Sequence, residues 1–70
     1  MTPRQAKAAR ALLDWTQTDL AGAADVALST VYEFEKQRRQ TSAQAVGRMR
    51  AALDRAGVVF LGKQGVKLRG

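Results

Sequence analysis

Residues 17–36 read QTDLAGAADVALSTVYEFEK, and the architecture of the whole chain turns on this stretch. Leu20 and Ala24 are four apart, so they share one face of a first short helix. Ala21 carries only a methyl group and lets a second helix cross closely above it. Asp25 falls where the chain must turn, and Asp tolerates left-handed backbone better than most residues. Val26 plugs that turn, and Val31 and Phe34, three apart, form the inward stripe of the second helix. Ser29, Tyr32, Glu33 and Lys36 make its opposite, polar face. A second helix held by an apolar seam and polar on its outer side has the form that enters the major groove of DNA. A plain helical hairpin inside a small bundle has the same seam, so the rest of the chain must separate the two readings.

Seventy residues make one small domain, which buries only about 60% of its unfolded surface. The chain has no cysteine and no histidine, so disulfides and an ordinary zinc site are excluded. Stability must come from helix packing or from a second subunit. No apolar run approaches the roughly 18 residues of a membrane span, and the N-terminus has no signal-peptide core. The expectation is a soluble, cytoplasmic protein without a cofactor. An enzyme reading finds no His or Cys, no glycine-rich phosphate loop and no inward pair of carboxylates.

The charge is lopsided. Residues 1–37 carry a net charge of −1, whereas residues 38–70 carry +7, with Asp54 as their lone acid. Five arginines (Arg38, Arg39, Arg48, Arg50 and Arg55) follow directly on the outward-facing helix. A basic half on so small a domain points to a polyanion, most simply nucleic acid. The other reading is a solvated basic surface that keeps the protein in solution.

Thr2, Pro3 and Gln5 open the first helix with a capping box and a proline at its first position. It runs to about Asp14, with Ala6, Ala9, Leu12 and Leu13 on its apolar side and Arg10 close to that side. Trp15 closes the core or offers a base-stacking platform. Thr16 caps the second helix, and Asp19 suits the positive end of its dipole. The third helix starts near Ala27 or Leu28 and ends around Gln37, followed by a basic connector. Thr41 or Ser42 caps a fourth helix with Val46, Met49, Ala52, Leu53 and Ala56 at helical spacing and Gly57 as its stop. Residues 58–61 and 66–68 are β-prone and flank a loop over 62–65, which predicts a hairpin.

These pieces together resemble a small XRE-type (Cro/cI-type) regulator, over roughly residues 4–57. The resemblance rests on Arg10, on Thr16, Gln17, Leu20 and Ala21, and on Val26 in the turn. It continues through Thr30, Val31, Phe34, Glu35, Lys36 and Arg39. It implies a mainly α fold: a four-helix, lambda-repressor-like helix-turn-helix DNA-binding domain over residues 1–57. A short C-terminal β tail over residues 58–70 is then a dimerisation element. Many members carry Gly in place of Asp25 and a Ser or Thr cap in place of Ala27.

The resemblance and helix geometry together assign roles. Leu28, Ser29, Tyr32 and Glu33 form the base-facing set: Leu28 suits a thymine methyl, Ser29 donates or accepts, and Glu33 accepts from a cytosine amino group. Leu28 equally fits partial burial against the second helix, and Tyr32 equally fits a phosphate. Gln17, Thr30, Lys36, Arg38 and Arg39 are expected on the DNA backbone. The resemblance implies a structural ion pair between Arg10 and Glu35. The tail holds Val58, Val59, Phe60, Leu61, Val66 and Leu68, more apolar surface than one hairpin is expected to hide, and all six are assigned to a homodimer interface. The leading expectation is a homodimeric repressor bound to palindromic double-stranded DNA. The alternative is an antitoxin-like protein that neutralises a partner protein through its C-terminal segment.

Overall fold

Local capping decides where each helix begins. In the computed structural model, which describes residues 1–38 and 40–70, α1 (Pro3–Leu13) starts on a complete capping box between Thr2 and Gln5. α2 (Gln17–Ala24) starts on a second box, in which the Thr16 hydroxyl accepts from the Asp19 backbone N–H and the Asp19 carboxylate accepts from the Thr16 N–H. α3 (Leu28–Lys36) follows Ala27, which has no side chain able to cap it. The missing cap costs about 1 kcal/mol relative to Ser or Thr. Of the two residues expected to cap α4 (Ala43–Arg55), Ser42 does so.

The first three helices end alike. Asp14, Asp25 and Gln37 all take left-handed backbone, with φ of 59°, 56° and 57°. In each case the N–H of the next residue bonds back five positions: Trp15 to Arg10, Val26 to Ala21 and Arg38 to Glu33. This closes the free carbonyls of the helix end and reverses the chain without glycine.

The core gathers Ala9 of α1, Leu20, Ala21 and Ala24 of α2, Val31 of α3, and Met49, Ala52 and Leu53 of α4. Trp15, Val26, Phe34 and Val46 cover it from its edges. Leu12, expected on the inward side of α1, is instead 43% exposed, because Gln5, Ala6 and Ala9 define the buried side of that helix.

β1 (Val58–Leu61) and β2 (Gly65–Leu68) form an antiparallel hairpin with Val58 opposite Leu68 and Phe60 opposite Val66. The loop is one residue shorter than expected, since Gly65 belongs to β2. A side chain there would meet the Leu61 Cβ at 3.3 Å. The register places Val58, Phe60, Val66 and Leu68 on one face, and that face turns back onto α1 and α4. Val58 is fully buried in the core, with Phe60 and Val66 packed against it.

The six apolar residues of the tail, all expected at a dimer interface, thus divide between two environments in the monomer. Val58 lies in the chain's own core with Phe60 and Val66 packed against it, whereas Leu61 and Leu68 are exposed and Val59 is half-buried. The physical reason lies in α1 and α4, whose buried Ala6, Ala9 and Ala52 leave a shallow surface that larger side chains must cover. Gln5 fixes the hairpin there: its Nε2 donates to the Gly62 and Gly65 carbonyls at 2.9 and 3.1 Å. The Thr2 hydroxyl donates to the Lys63 carbonyl at 3.1 Å.

Candidate nucleic-acid interface

α2 and α3 cross with Ala21 between them, 6% exposed, and the polar side of α3 turns outward. Along it lie Leu28 (48% exposed), Ser29, Tyr32, the half-buried Glu33 and Lys36. Lys36 Nζ and the Arg38 guanidinium sit 5.9 and 5.8 Å from the Tyr32 ring centre. Thr30 is half-buried and lines a groove between α3 and the start of α4 with Glu33, Thr41 and Ser42. Arg39 lies outside the described residues.

Behind the exposed row stands a buried polar cluster. Arg10 donates from Nε to Glu35 Oε2 at 2.7 Å and from Nη2 to Glu35 Oε1 at 2.6 Å. Its Nη1 donates to the Trp15 carbonyl at 3.1 Å, joining the α1–α2 corner to α3. The Glu35 side chain is 1% exposed and that of Arg10 is 18% exposed. The hydrogen bonds that Arg10 donates to Glu35 raise the guanidinium pKa above its ordinary value; burial works against this and the carboxylate charge adds to it. Arg10 therefore stays cationic wherever the chain is folded.

Gln17 was expected on a phosphate, yet its side-chain Nε2 donates to Glu35 Oε1 at 3.1 Å. With the Arg10 bond it completes the coordination of a carboxylate that burial would otherwise leave short of donors. In this arrangement the side-chain amide is turned inward.

Not all of the basic half faces one way. The Arg48 and Arg55 guanidinium groups reach from α4 to the carbonyls of Asp25 and Ala23, at 3.2 and 3.4 Å. They neutralise the negative end of α2 beside the turn. Arg69 donates to the carboxylate and the carbonyl of Asp54 at 3.3 and 2.6 Å. Arg50 stacks over the Phe60 ring at 4.5 Å. The sequence shows the arginines but not these partners, which are brought together only by the packing of α4. The Gln5 clasp is illegible in the sequence for the same reason, although the capping box of the same residue can be read there.

Among the described residues no group of three His, Cys, Asp or Glu side chains comes together as a metal site would need. No helix among them is long and apolar enough to cross a membrane.

This arrangement, a short helix propped by a second across a tight turn and presenting a polar row with flanking cations, defines a DNA-binding helix-turn-helix protein. The Helix-turn-helix family model matches residues 7–58, more than half of the chain. The chain belongs to this family and is a small DNA-binding transcription regulator of the XRE type. Comparison with curated proteins returned no match.

Proposed function

We propose that the protein is a repressor that binds a palindromic operator as a homodimer, with Leu28, Ser29, Tyr32 and Glu33 reading bases. Thr30, Lys36, Arg38 and Arg39 hold the backbone, and Gln17 contributes through the main chain at the start of α2. The observation that carries the reading is the exposed row from Leu28 to Lys36 on a helix anchored from behind by Arg10 and Glu35. Selection from a random duplex pool should yield one sequence with dyad symmetry, bound at about 10⁻⁸ M or tighter at physiological salt. Glu33→Ala and Ser29→Ala should each relax preference at one base pair per half-site, at about 1–3 kcal/mol. Arg38→Ala should weaken specific and unrelated duplexes alike. A Glu33→Ala protein that selects the wild-type sequence at every position removes Glu33 from the base-reading set.

The dimer is assigned to the outer side of the hairpin, where Val59 and Leu61 share a face, together with the exposed Leu68 at the end of β2 on the other face. A pair of such subunits can set two α3 helices about 34 Å apart, one turn of the duplex. Because Leu61 is exposed, Leu61→Glu should leave the melting temperature within about 2 °C while converting the dimer to monomer in sedimentation. A variant that still sediments as a dimer moves the interface elsewhere. A wild-type chain that is monomeric and captures a partner protein through residues 58–70 supports the antitoxin-like alternative.

A further inference from the structure

The N-terminus of α1, the residue after α3 and the hairpin turn meet around an open cleft lined by Thr2, Pro3, Arg4, Gln37, Lys63 and Gln64. It contains two cations and two amides and no acidic side chain. Among the described residues neither Arg4 nor Lys63 makes an ion pair, unlike Arg10, Arg48 and Arg69. Both are exposed.

We infer that this cleft is a second phosphate-binding edge, through which Arg4 and Lys63 hold the backbone of the same duplex outside the footprint of α3. The inference rests on the DNA-binding reading above. Three features carry it. Gln37 directly follows α3, so the cleft continues the cationic row of Lys36 and Arg38 from the end of that helix. Its chemistry, a guanidinium and an ammonium beside amide donors, suits a singly charged phosphodiester and carries no base information.

The third feature is rigidity. The Gln5 amide is 1% exposed, and its bonds to Gly62 and Gly65, with that of Thr2 to Lys63, tie the turn to the α1 cap. Lys63 therefore starts from a fixed backbone, and less freedom is lost when it meets a phosphate. The hairpin then has two uses, closing the core with one face and touching DNA with its turn.

The test is the salt dependence of binding to the selected duplex and to an unrelated one, measured for Arg4→Gln, Lys63→Gln and both together. Each substitution should lower the slope of log K against log salt by about 0.9, and the pair by about twice that, with the selected sequence unchanged. Arg69→Gln, which removes the same charge from a side chain held by Asp54, should leave the slope within error of wild type. Wild-type binding with an unaltered slope in the double variant overturns the inference and leaves the DNA-binding reading standing. An equal drop for Arg69→Gln also overturns it, because the effect is then one of net charge. A wild-type chain that binds no duplex overturns both.

Discussion

Arg10→Met is expected to remove a large share of the protein's stability while leaving it mostly folded at room temperature. The substitution keeps most of the apolar stem but strands Glu35, whose side chain is 1% exposed, with the Gln17 amide still donating to it. Breaking a buried pair from one side typically costs about 3–5 kcal/mol, because the remaining charge keeps its desolvation penalty. Since 18% of the Arg10 side chain is exposed, water can enter and the lower end of that range applies. A domain of this size has roughly 4–10 kcal/mol in total, so the loss is a large share of it. Arg10→Met with Glu35→Leu should recover much of the stability, since no unpaired charge is left inside. Urea titration followed by circular dichroism measures both. An Arg10→Met midpoint equal to wild type would mean that the pair contributes nothing to the fold.

Cutting the chain after Gly57 should abolish the cooperative fold altogether. The cut removes Val58 from the core, uncovers the surface that Phe60 and Val66 protect, and takes away the carbonyl partners of Gln5 and Thr2. Fully burying a Val or Phe side chain is worth about 1.5–3 kcal/mol, and a buried amide left without partners costs about 1–3 kcal/mol more. The sum is comparable to the stability of the whole domain. Truncation is therefore no test of dimerisation, which an exposed position such as Leu61 probes cleanly. A sharp melt of residues 1–57 near the wild-type temperature would show that the four helices are self-sufficient.

The two outcomes divide along the range of the interactions involved. Capping boxes, apolar spacing within helices and the left-handed Asp25 are relations among residues three to six apart, and a short window of sequence contains both partners. That is why the four helices, the turn and the outward row of α3 can be read directly from the chain. The Arg10 and Glu35 pair spans 25 residues. Spacing alone leaves Arg10 as an oddly placed charge, and the partner entered through family resemblance.

The tail shows the opposite case. Alternation and two glycines predict a hairpin, but the same apolar pattern serves a dimer interface or the chain's own core equally well. The choice depends on what α1 and α4 leave uncovered. Here small alanines create a surface that Val58, Phe60 and Val66 fill, while Gln5 reaches the turn across 57 and 60 residues of sequence. Likewise, the arginines of α4 count toward a basic half in the sequence, yet Arg48 and Arg55 bond to carbonyls at the end of α2. Helix identity and polarity are therefore local properties of this chain. The partner of each long side chain, and the face that the hairpin keeps for solvent, follow only once packing has brought distant segments within bonding distance.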